Sequence, residues 1–80
     1  MKVKVKDDNE VEALAKLTNE FRQKMLQRLI EKYNCNWSGW NDEKQMKIFD
    51  GGLKERIIRN ALEGEWIDVA NLAMFAWNFE

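Results

Sequence analysis

The stretch Glu65-Trp66-Ile67-Asp68-Val69-Ala70-Asn71-Leu72-Ala73-Met74-Phe75-Ala76-Trp77-Asn78-Phe79 decides the fold. Apolar side chains fall on nearly every side of the helix it predicts over 65–79. Only Glu65, Asp68, Asn71 and Asn78 interrupt them, and these share one narrow face. A helix that is apolar on most sides is buried on most sides. One long helix and a broken one precede it, too little to surround it. The expected architecture is therefore all-α: a small helical bundle completed by homo-oligomerisation, in which a second copy covers the last helix.

Working outward, Gly64 stands where a left-handed residue closes a helix. Residues 42–63 read as a second helix, broken near 51–52 by Gly51-Gly52, with Leu53, Ile57 and Ala61 on one stripe. Residues 35–41 form a loop holding Trp37 and Trp40, where asparagine, serine and glycine favour turns. The first helix is expected over 9–34. Its stripe is Leu14, Leu17, Phe21, Met25 and Leu29, spaced by threes and fours, and Asn9 with Glu12 fits a capping box. Residues 1–8 alternate valine and lysine at the start and are expected as a short extended arm.

The whole chain of 80 residues makes one domain at most. A core this small is marginal and commonly needs a staple. Cys35 is the only cysteine and there is no histidine, so neither an internal disulfide nor a Cys/His zinc site is available. Oligomerisation is the staple that remains. With 13 basic and 14 acidic residues the net charge is -1, which supplies no field to attract a nucleic acid. Nothing approaches the ~20 apolar residues of a membrane span, and Met1 to Lys6 lacks the apolar run of a signal peptide. A cytoplasmic protein with neither a nucleic-acid nor a membrane partner is expected.

The polar face of the last helix carries the candidate chemistry. Glu65 and Asp68 lie three apart and project together, and Asn71 follows one turn on. Such groups are costly to bury without partners. Basic side chains would satisfy them, with Arg56 and Arg59 on the preceding helix as candidates. A hard divalent cation would also satisfy them, Mg²⁺ or Mn²⁺ as its substitute.

The run Glu65-Trp66-Ile67-Asp68-Val69-Ala70-Asn71-Leu72-Ala73-Met74 resembles the E-x-x-D-V-A-N-x-A-M signature of MazG-like all-α nucleotide pyrophosphohydrolases. The helix over 25–33 followed by Asn36-Trp37-Ser38-Gly39-Trp40 is similar to the front of some members. This resemblance implies a dimeric or tetrameric, Mg²⁺-dependent enzyme that splits nucleoside triphosphates into monophosphate and pyrophosphate. Carried over, Glu65 and Asp68 would be catalytic and would join Glu55 around the metal. Asn71, Arg56, Arg59, Trp37 and Trp40 would contact the nucleotide. Where the family has E-E-x-x-E, this chain has Glu55-Arg56-Ile57-Ile58-Arg59, so its carboxylate set is incomplete.

The competing expectation is a non-catalytic helical oligomerisation or interaction module that uses the apolar C-terminal helix. In that case Trp37 and Trp40 cover an open end of the core, while Trp66 and Trp77 are core or interface anchors. Lys24, Arg28 and Lys32 form a solvated basic row, and Met25, Met46 and Met74 fill core gaps.

Overall fold

The computed structural model describes residues 8–80. The arm expected over 1–8 lies outside the described residues except for Asp8, which opens the first helix. The elements are α1 (Asp8–Asn34), α2 (Glu43–Ile48), a 3₁₀ turn (Phe49–Gly51), α3 (Leu53–Leu62) and α4 (Trp66–Asn78). No strand occurs among the described residues.

Local chemistry sets each break. At the end of α1, Asn36 takes a left-handed φ of 65°. The Trp37 N–H then donates to Lys32 C=O at 3.0 Å, and the Asn36 N–H donates to Tyr33 C=O at 3.1 Å. This pair of bonds satisfies carbonyls that a helix end leaves open. Gly64 closes α3 in the same way, with φ 74° and the Glu65 N–H donating to Asn60 C=O at 2.9 Å. Asp42 caps α2 by accepting the Gln45 N–H at 3.1 Å. Between α2 and α3 the chain turns sharply through left-handed Asp50 (φ 51°) and Gly52 (φ 96°). A Cβ on Gly52 would lie 2.7 Å from Lys47 C=O, so the turn excludes any larger residue there.

α4 is the middle of the molecule. It packs against both α1 and α3, which do not pack against each other. Met46, Leu53, Leu72 and Phe75 form the buried core, with Leu29, Trp37, Ile57 and Ala76 around them. Burying a leucine or phenylalanine side chain contributes about 1.5–3 kcal/mol, so a core of this size supplies little stability.

Within one chain α4 buries only the strip carrying Asn71, Leu72 and Phe75. Trp66 and Trp77 stand outside the core, Trp77 at 74% exposure, on the side that the sequence assigns to a second copy. The reason is that α1 and α3 both approach α4 from its polar-edged side and leave its opposite side uncovered. The apolar stripe of α1 behaves in the reverse manner to what its spacing suggests. Every residue from 9 to 24 is exposed, including Leu14, Leu17 at 63% and Phe21. α1 is long enough to overrun α4, and its first half has no helix beside it.

Candidate functional site

The seam between α1 and α4 gathers the polar residues that the sequence singles out. Asp68, in the first turn of α4, accepts a hydrogen bond from Arg28 Nε at 3.1 Å. Lys32 Nζ stands 3.9 Å from the same carboxylate oxygen. The basic partners of Asp68 are thus Arg28 and Lys32 of α1, in place of Arg56 and Arg59 of the neighbouring helix. The basic row on α1 is not a purely solvated face: its spacing of four puts Arg28 and Lys32 on the side that meets α4.

Charge follows geometry here. The hydrogen bond from Arg28 to Asp68, and then the charge of Asp68, hold the Arg28 guanidinium above its ordinary pKa. Lys32 is pushed the other way, because burial lowers it more than Asp68 raises it. The Lys32 ammonium also lies 5.4 Å from the Trp37 ring centroid, a cation–π contact. Glu65 precedes α4 and opens with Asp68, Lys24, Gln27 and Arg28 onto one shallow groove.

One turn beyond Asp68, Asn71 is buried. Its Nδ2 donates to Met25 C=O at 3.2 Å, across to α1, and its Oδ1 has no hydrogen-bond partner. Glu65, Asp68 and Asn71 therefore form one polar line along the α1 contact.

The remaining candidates lie elsewhere. Glu55 sits in the first turn of α3, where its carboxylate fills the space beside Gly51. It does not join Glu65 and Asp68. Among the described residues no three His, Cys, Asp or Glu side chains are grouped closely enough to share a metal ion. The set Glu55, Glu65 and Asp68 does not fit Mg²⁺ within one chain, since Asp68 is already paired and Glu55 belongs to another face. Arg59 is engaged as well. Its Nη1 donates to Asp50 Oδ2 at 3.0 Å and its Nη2 to Asp50 C=O at 2.8 Å, which clamps the left-handed residue of the turn. Local backbone demand, with no ligand involved, accounts for that arginine.

Arg56 is different. It is buried, its Nη1 has no hydrogen-bond partner, and its guanidinium lies 5.1 Å from the Phe49 ring centroid. Burial pulls its pKa down, Asp50 pulls it up, and Arg59 adds to the lowering. It lines one recess with Trp37. Sequence reasoning named Arg56 but not its burial, for which the only signal was its place between the apolar positions Leu53 and Ile57.

Trp37 and Trp40 both approach Phe75, with ring centroids 5.9 Å and 6.0 Å away. They wall an apolar groove of about 320 Å³ whose other side is Leu29, Tyr33 and Met74. Trp37 packs against the buried core, whereas Trp40, 44% exposed, stands on the rim of the groove. Comparison of the chain with known protein families, with curated proteins and with solved structures returned no match.

Proposed function

We propose that this chain is a self-associating helical module in which the first half of α1 pairs, antiparallel, with α1 of a second copy. The carrying observation is the uncovered stripe of Leu14, Leu17 and Phe21, which runs without a break into the covered positions Met25 and Leu29. Charge supports the second copy as occupant. The first half of α1 carries Glu10, Glu12 and Glu20 against Lys16, and the turn that follows carries Arg22 and Lys24. Antiparallel pairing brings the acidic half of one helix beside the basic turn of the other.

Sedimentation equilibrium tests this reading. The wild type is expected at twice the chain mass at micromolar concentration, and Leu17→Glu is expected to shift it to the monomer. A well-folded wild-type monomer at every micromolar concentration overturns the reading.

A second reading keeps the nucleotide-phosphate chemistry of a degenerate MazG-like pyrophosphohydrolase. One observation favours it: Glu65 and Asp68 face the same groove as Lys24 and Arg28. Titration calorimetry with Mg²⁺ and nucleoside triphosphates, with an assay for pyrophosphate, decides it. Absence of both heat and pyrophosphate, where the assembly is intact, removes it. Loss of nucleotide binding in Asp68→Asn with the assembly unchanged supports it.

A further inference from the structure

Arg56 stands on the second turn of α3 at 8% exposure. Its Nη1 is closed to solvent and unpartnered, and its side chain enters no ion pair among the described residues. A guanidinium keeps its proton in a folded protein. A buried charge without an ion-pair partner is costly. The nearby carboxylate of Asp50 is held by Arg59 at 3.0 Å. The contact with the Phe49 ring returns only part of that cost.

Two recesses flank this arginine. One is lined by Asp50 and Glu63 as well as by Arg59, so the charges around Arg56 there already balance. The other, of about 210 Å³, lies between α2, α3 and the turn after α1, and no carboxylate lines it. Its wall includes Ser38 and the left-handed residues Asn36 and Gly39. The Gln45 carboxamide packs against Gly39 in the space a Cβ would need. The recess thus has one buried cation, a hydroxyl and a carboxamide, all neutral except the arginine. At this size it falls below the ~300–1,000 Å³ of sites that enclose a whole drug-sized ligand.

We propose that this recess binds a small oxyanion, a phosphate or a carboxylate, with the Arg56 guanidinium as its charge partner and Ser38 and Gln45 as neutral hydrogen-bonding groups. An oxyanion supplies the counter-charge that the Arg56 guanidinium lacks. A nucleoside triphosphate is too large to enter whole. The recess shares no residue with the free stripe of α1 or with the Glu65–Asp68 groove, and it places Arg56 and Trp37, which the family resemblance assigns to the nucleotide, at a separate site.

The test is NMR titration of the full chain with inorganic phosphate and, separately, with acetate. Sodium chloride at matched ionic strength is the control. The probe is the indole N–H of Trp37, which lines the recess, assigned by its loss in Trp37→Phe. A saturable shift with phosphate or acetate, absent with chloride, is expected, and the anion that saturates assigns the class. Arg56→Met is expected to abolish the shift while keeping or raising the melting temperature, because it removes an unpaired buried charge. Arg56→Lys keeps the charge without the fork and is expected to weaken binding about tenfold or more. No saturable shift with either anion overturns the proposal, as does an undiminished shift in Arg56→Met. If Arg56→Met does not fold, undiminished binding in Arg56→Lys overturns it instead.

Discussion

Arg28 on α1 and Asp68 on α4, 40 residues apart, are joined by a hydrogen bond of 3.1 Å that ties the two helices together. Arg28 is half-exposed and Asp68 is 14% exposed, so solvent screens the pair only in part. Partly screened ion pairs contribute up to about 1 kcal/mol. Asp68→Asn is expected to lower stability by about 1 kcal/mol in urea denaturation. A double-mutant cycle with Arg28→Ala is expected to recover most of that as coupling.

Asn71 makes a sharper case. Its amide bridges to Met25 C=O from a buried position. A carboxylate there would face that carbonyl with no donor to offer. Asn71→Asp is expected to cost about 2–3 kcal/mol at neutral pH. Burial raises the folded pKa of a carboxyl group, so the deficit is small in acid and grows as pH rises through about 4. Urea midpoints at several pH values check both the size and the sign.

Lys32 offers a prediction at the other end of the pH scale. Burial lowers its folded pKa, against the opposing pull of Asp68. For a base with a depressed folded value, the folded state loses its proton first. The cost of burying the charge is then present at neutral pH and is relieved as pH rises from the folded value to the ordinary ~10.4. Comparing Lys32→Gln with wild type should show the wild type gaining relative stability over that alkaline window. A flat difference would count against the lowered value.

The two glycines flanking α3 are expected to respond unequally to alanine. Both have positive φ, but a Cβ at Gly52 meets Lys47 C=O at 2.7 Å, whereas Gly64 has open space around it. Gly64→Ala carries only the left-handed penalty of about 1 kcal/mol. Gly52→Ala adds a backbone clash and is expected to cost about 2–3 kcal/mol. Thermal unfolding of the two variants side by side measures the gap.

The parts of the structure legible in the sequence are the local ones. The helical class, the turn at Asn36, the break at Gly51-Gly52 and the stop at Gly64 all depend on residues within a few positions of each other. The candidate site was legible only as a face of α4. Spacing puts Glu65, Asp68 and Asn71 in line but says nothing of what lies opposite. Their partners, Arg28, Lys32 and the Met25 carbonyl, come from a helix distant in sequence. An apolar stripe likewise states that a surface wants covering without stating which neighbour reaches it. That is why the stripe on α1 and the rings of Trp66 and Trp77 ended up outside the core. The burial of Arg56 contradicts the usual preference of arginine for the surface, and its place between Leu53 and Ile57 was the one hint of it.

Because α1 and α3 touch α4 but not each other, a ribosome making this chain releases a first helix that cannot join α2 and α3 until Trp66–Asn78 follows and bridges them. The contacts that unite the two ends arrive late, and until then the nascent chain shows its greasy flanks to whatever chaperone is near. A version stopped before Trp66 should accordingly unfold without a cooperative transition, helical in part but owning no fold.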